Sequence, residues 1–200
     1  MDKYSSGLVS QSFWFVEVKK IINLLNENAT WEEIKVLAYE ENLLLLYKMS
    51  RIKRVYGYLK NRISTLDRHM LQLFQTADVQ TQKLINLIAI TKDNRLFFEF
   101  LYDVYSDKAQ TKYIDLTPAD ASIFFKLKAD QEELIASWNE ITLKRLGSVY
   151  INFMVEAGLI TKTNNSYKIT PPILDIQLEN YLIDSGEANI IKALTGEELC

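Results

Sequence analysis

One cysteine and one histidine, Cys200 and His69, are all that the chain offers of the two side chains on which most zinc sites and many nucleophilic mechanisms depend. A lone cysteine excludes an intramolecular disulfide framework and points to a reducing compartment, and Cys200 is expected to be a tail residue without a role. His69 has no cysteine or aspartate cluster around it at ligand spacing, so it reads as a surface or packing histidine. Three prolines and six glycines in 200 residues leave few places for long loops, and the abundance of Leu, Ile, Lys and Glu favours a mainly α protein. No apolar run, Leu43 to Tyr47 included, approaches the roughly 18 residues needed to span a bilayer. The N-terminus lacks a basic stretch followed by a continuous apolar one, so the expectation is a soluble, cytoplasmic chain with no membrane partner.

Also absent are a phosphate-binding loop, a dinucleotide glycine fingerprint, a G-x-S-x-G elbow, an H-E-x-x-H pair and a C-x-x-C pair. Adjacent carboxylates such as Glu32 and Glu33, or Glu132 and Glu133, point to different sides of a helix and solvate it. These absences predict a protein that is not an enzyme and carries no metal and no cofactor.

What is present is a sizeable core, with 48% hydrophobic residues, and a net charge of -3 that argues against indiscriminate coating of nucleic acid. Any such binding must come from a local patch, and the stretch KMSRIKRVYGYLKNRISTL supplies one. It holds Lys48, Arg51, Lys53, Arg54, Lys60 and Arg62 and no acidic residue. At helical spacing Ile52, Val55, Tyr56, Leu59, Ile63 and Leu66 share one face. Arg51, Arg54, Tyr58 and Arg62 lie along one flank, and Lys53 and Lys60 along the other. Gly57 projects opposite the apolar face, where a missing side chain lets a backbone or a phosphate come close. Ser50 is the expected N-cap. The alternative is a merely solvated basic face.

Taken in order, residues 1–8 read as a short arm, and Ser10 or Ser12 as the cap of a helix to about Asn28 with Phe13, Val16, Ile21, Leu24 and Leu25 inward. Thr30 and Glu33 form a capping-box pattern ahead of a helix that buries Trp31, Ile34, Leu37 and Ala38. Leu43 to Tyr47 is either a short strand or an apolar connector. Helix, helix, connector, basic helix is a helix-turn-helix order, with 50–66 as its recognition element. Shorter helices follow, one capped by Asp78 and one starting at Asp93 or Asn94. The ring cluster Phe97, Phe98, Phe100, Tyr102 and Tyr105 is read as packing before base stacking.

After Ile114 to Leu116, Thr117 and Pro118 open a helix with Ile123, Phe124 and Leu127 on its apolar side. Asn139 caps another, which carries Ile141, Leu146, Val149, Phe153 and Met154 inward and Thr142, Lys144, Arg145 and Ser148 outward, and which Gly158 ends. Leu159 to Thr163 and Ser166 to Thr170 then read as a hairpin turned by Asn164 and Asn165, with Lys162 and Lys168 on this wing. A final helical stretch is expected near Asp184 to Leu194. The predicted organisation is a helix-turn-helix-like module at 1–76, a central helical hairpin at 77–112, and a winged-helix-like module with a tail at 113–200.

The segments YSSGLVSQSFWFVE, EENLLLLYKMSRIKRVYGYLKNRI, KLINLIAITKDNRLFFEFLYDVY and TLKRLGSVYINFMVEAGLI resemble the BrxA family, small proteins of bacterial BREX phage-defence systems. The resemblance covers about Tyr4 to Ile160. It implies an all-helical, non-enzymatic DNA-binding protein of helix-turn-helix character, related in shape to NusB-like antitermination folds, acting beside larger BREX components. It brings no residue motif of its own. The expected partner is therefore double-stranded DNA, with other BREX components as further candidates. Its candidate contacts, read from charge and periodicity, are Lys48, Ser50, Arg51, Lys53, Arg54, Gly57, Tyr58, Lys60, Arg62, Thr142, Lys144, Arg145, Lys162 and Lys168. An adaptor of the defence complex and an RNA-binding antitermination-like factor are the alternatives.

Overall fold

A computed structural model describes residues 3–111, 115–164 and 166–198. Ile114, the turn residue Asn165, Cys200 and the first two residues of the expected arm lie outside these. The chain forms two compact units, Phe13–Asp93 and a second made of Met1–Ser12 with Asn94–Cys200. The fold is mainly α, as composition leads one to expect, and among the described residues it carries a small antiparallel hairpin where the runs either side of Asn164 and Asn165 lead one to expect it.

The first unit holds α1 (Phe15–Asn26), α2 (Trp31–Glu40), α3 (Met49–Ile63), α4 (Arg68–Thr76) and α5 (Val79–Asp93). Side chains start most of these helices. Thr30 and Glu33 exchange both bonds of a capping box at α2, with Thr30 N donating to Glu33 Oε2 at 2.7 Å and Glu33 N to Thr30 Oγ1 at 3.3 Å. Asp67 accepts from Met70 N at 2.8 Å to start α4, and Asp78 from Thr81 N at 2.8 Å to start α5. Such caps satisfy N–H groups that a helix cannot pair by itself and contribute about 1 kcal/mol each.

The start of α1 differs from expectation. Neither Ser10 nor Ser12 caps it; Gly7–Ser10 is a short 3-10 turn, and the cap is Trp14 in the left-handed region at φ 49°. Phasing shifts accordingly: Val18, Ile21 and Ile22 are buried, whereas Val16 is 61% exposed and Leu24 and Leu25 are half-buried. Leu43 to Tyr47 is a connector without strand pairing. Helix α5 is buried on nearly every side, which obliges its polar residues to bond: Gln82 Nε2 donates to Phe74 O at 2.9 Å and Asn86 Nδ2 to Phe13 O at 2.8 Å.

The second unit begins with a helical run, α6 (Arg95–Phe100), a wider π turn (Leu101–Tyr105) and α7 (Ser106–Thr111). Asn94 caps it, accepting from Phe97 N at 3.0 Å. Next come α8 (Pro118–Gln131), α9 (Glu133–Ala136), α10 (Glu140–Glu156), β1 (Ile160–Lys162), β2 (Tyr167–Ile169), α11 (Ile176–Asp184) and α12 (Ala188–Thr195). Ile160, Thr161 and Lys162 pair with Ile169, Lys168 and Tyr167, and Leu116 adds a bridge to Tyr167. Gly158, at φ 80°, ends α10 as expected, with Leu159 N donating back to Met154 O at 2.9 Å.

The core of this unit is aromatic. Phe97, Phe100, Phe124, Phe125, Tyr150 and Phe153 meet at ring-centroid distances such as 4.8 Å for Phe97–Tyr150 and 5.3 Å for Phe100–Phe124. Tyr105 is also buried, while Phe98 and Tyr102 are half-buried. Two expected inward stripes are corrected. On α8 Ala121, Phe124 and Phe125 are buried while Ile123 and Leu127 are more than half exposed; on α10 Ile141 is 65% exposed. Both misplaced sets lie on faces that periodicity allows to be apolar but that neighbouring elements leave more than half exposed.

Candidate nucleic-acid interface

Helix α3 is built as its stripe requires. Ile52, Val55, Tyr56, Leu59 and Ile63 are buried against α1, α2 and α5, each such side chain contributing about 1.5–3 kcal/mol, and Tyr56 Oη donates to Trp31 O at 2.7 Å. Burial pushes the Tyr56 phenol up to about 12, with the charge of Glu32 adding to the shift. The helix starts one residue before Ser50, with Lys48 in the cap position and no side-chain cap bond. Ser50 therefore stands in the first turn, exposed, and does not cap.

The cations of α3 divide into three groups. Lys53 Nζ sits 5.7 Å from the Tyr39 ring and Lys60 Nζ 5.8 Å from the Trp31 ring, so aromatic side chains of α2 hold that flank. Lys48, Arg51 and Arg54 are exposed and have no ion-pair partner among the described residues. No acidic residue stands in the first turn to offset them. The third group corrects an expectation: Arg62, placed by periodicity beside Arg51 and Arg54, is fully buried.

Its Nη1 donates to Phe13 O at 2.9 Å, its guanidinium lies 5.4 Å from the Trp14 ring, and Trp14 in turn stacks on Tyr58 at 6.1 Å. Burial lowers the Arg62 guanidinium to about 10, opposed by the charge of Asp93. The left-handed backbone of Trp14 turns the indole over the C-terminal half of this flank. Tyr58 is half-buried beneath it and Arg62 is sealed from solvent, so only the N-terminal half stays open. Nothing fills the space where a Cβ on Gly57 would stand, in keeping with a surface approach there.

In the second unit, Lys144, Arg145, Lys162 and Lys168 are exposed and Thr142 is half-buried, its N–H capped by Asn139 Oδ1 at 2.8 Å. They fall on two elements, α10 and the hairpin. Lys144 lines a groove of about 870 Å³ between α8 and α10, with Ala121, Phe125, Leu143, Gly147 and Ile151 among its apolar walls, whereas Thr142 and Arg145 do not. On the paired strands, Lys168 stands opposite Thr161 and Lys162 opposite Tyr167. The groove residues were missed in the sequence, although 118, 121, 125 and 129 on α8 and 140, 143, 147 and 151 on α10 repeat at helical spacing. Leu45 and Tyr47, 73% and 104% exposed directly before α3, were missed as surface features; the turn former Asn42 was their signal. His69 is exposed, and no group of carboxylates, His or Cys able to hold a metal occurs among the described residues. None of the helices described is long and apolar enough to cross a membrane.

These features define a mainly α protein that displays unneutralised cations on one amphipathic helix. The profile of the BrxA family matches residues 2–186, and the chain belongs to that family. It is 34% identical over 97% of its length to "BREX protein BrxA" of Bacillus cereus, of which it covers 97%, and 21% identical over 96% of both chains to "BREX protein BrxA" of Paramagnetospirillum magneticum. A crystal structure of an uncharacterized protein from Magnetospirillum magneticum shares the fold, with a TM-score of 0.83 over 98% of this chain and 100% of that one at 21% identity.

Proposed function

We propose that this chain is a non-enzymatic, cytoplasmic double-stranded DNA-binding protein that serves BREX defence against bacteriophage, with α3 as its principal contact. The observation that carries the reading is the open cluster Lys48, Arg51 and Arg54, exposed and unneutralised in a chain of net charge -3. Free cations on a rigid helix gain by displacing the counterions of a polyanion, and a duplex backbone offers the densest array of phosphates. Lys48, Arg51, Lys53, Arg54 and Lys60 supply mostly phosphate contacts, and Arg51 or Arg54, near the helix start, is best placed to reach a base edge as well.

The order α8, α9, α10, β1, β2 is that of a winged helix, which supports a second contact through Thr142, Lys144, Arg145, Lys162 and Lys168. The relatives' name supports the defence setting. A second reading, docking of another BREX component, draws on the groove between α8 and α10, whose apolar walls suit a protein side chain better than a phosphate.

The test is a salt titration of binding to a short mixed-sequence duplex, wild type beside Arg51→Ala, Arg54→Ala. The variant is expected to keep its helical circular dichroism, bind more weakly, and show a log-affinity against log-salt slope shallower by about 2. Unchanged affinity in the folded variant removes α3 from the interface, and no wild-type binding at low salt overturns the reading.

A further inference from the structure

Immediately ahead of α3 the chain makes a turn that spends conformational strain to hold apolar side chains in water. Asn42 and Leu45 both have left-handed backbones, at φ 52° and φ 53°, and leucine rarely adopts that region. The turn is held rather than loose. Leu45 N donates to Asn42 O at 2.8 Å, Leu46 N to Asn42 Oδ1 at 2.9 Å, and Lys20 Nζ to Leu43 O at 3.1 Å, while Leu44 is buried as an anchor. The product is an outward pair, Leu45 at 73% and Tyr47 at 104% exposure, followed in sequence by Lys48 and, one helical turn on, Arg51.

We infer that the Leu45–Tyr47 turn is a base-contacting wedge, which inserts at one base step of a duplex while Lys48, Arg51 and Arg54 hold the adjoining phosphates. This rests on the DNA-binding reading and adds to it a contact that charge alone does not supply. A phenol ring offers a face for a base to stack on, an aliphatic side chain separates a step, and both need anchoring cations to repay the unstacking. A lipid surface fits less well, because interfacial helices bury a whole apolar face and that of α3 is already committed to the core.

The experiment uses the full chain and duplexes carrying 2-aminopurine at successive single positions. Wild type is compared with Leu45→Asn, Tyr47→Ser, in which asparagine tolerates the left-handed backbone and the exposed Tyr47 has no packing to lose. The wild type is expected to raise 2-aminopurine fluorescence at one step. The variant is expected to lose that rise and bind about tenfold more weakly with an unchanged salt slope. Tyr47→Ser alone gives the same comparison, with a smaller loss, if the double variant folds poorly. A rise kept by the variants, or no rise at any position while the wild type binds, overturns the wedge and leaves the DNA reading standing. Wild-type binding to phosphatidylserine vesicles and not to duplex overturns both.

Discussion

Helices α3 and α10 are both candidate DNA contacts, and both carry cations on an apolar-striped helix, yet they are built to different rules. On α3 the buried and charged sides are sharply divided, with Ile52, Val55, Leu59 and Ile63 inward and Lys48, Arg51 and Arg54 in water. On α10 burial reaches Leu146, Gly147, Tyr150, Ile151, Phe153 and Met154, while Ile141 is left outside and the cations are reduced to Lys144 and Arg145. A helix committed on several sides has little surface left to charge. A helix committed on one side can leave cations in water, and α3 does so at its N-terminal half, while Lys53 and Lys60 lie against rings of α2 and Arg62 is buried.

Arg62 is where the division on α3 breaks, and it is the most damaging place to intervene. Arg62→Ala removes the donor to Phe13 O and the cation under Trp14, and is expected to cost about 3 kcal/mol of unfolding free energy, read by urea denaturation. A loss under about 1 kcal/mol would mean that Arg62 acts as a surface residue after all.

The glycines sharpen the contrast next. A Cβ on Gly147 of α10 would stand 3.1 Å from Ala121 Cβ, so Gly147→Leu is expected to destabilise by about 2 kcal/mol through overpacking. Gly57→Ala on α3 meets open space and should stabilise by about 1 kcal/mol through helix propensity, and thermal melts of the two variants should move in opposite directions.

The smallest effect concerns charge in the second unit. Burial raises the Glu99 carboxyl, but bonds from Lys128, Arg95 and Tyr4 outweigh it, and the net shift is downward. A depressed folded value makes this contribution complete above the ordinary glutamate range of about 4.3 and lost as pH falls through the lower folded value. Glu99→Gln should therefore melt below wild type at pH 7, with the gap closing toward pH 3; a gap independent of pH would show that the carboxylate charge is not what matters.

How much could be read in advance follows the same line between local and non-local causes. The caps at Thr30, Asp78 and Asn139, the cap at Asn94 as one of two candidates with Asp93, the stop at Gly158 and the five apolar positions of α3 within Ile52–Ile63 were legible, because each depends on residues within a turn or two of itself. The open half of the candidate site was legible for that reason too: spacing alone sets Arg51 and Arg54 away from Ile52, Val55 and Leu59. Arg62 was not legible, since its burial depends on an indole from Trp14 far away in the chain. The exposed Val16, Ile123, Leu127 and Ile141 were misassigned because periodicity identifies which residues share a face and not whether anything lies against it.

By itself, then, the sequence determined that this is a mainly α chain with a small hairpin, an amphipathic basic helix in a chain of net negative charge, and kinship with the BrxA family. Those follow from composition, short-range spacing and segment likeness, which are written along the chain. Only the tertiary structure decided which cations remain in water, that Leu43 to Tyr47 is a strained turn and not a strand, and that α8 and α10 leave a groove. Each of these is set by contacts between residues distant in sequence, whose free energy depends on what is packed against them.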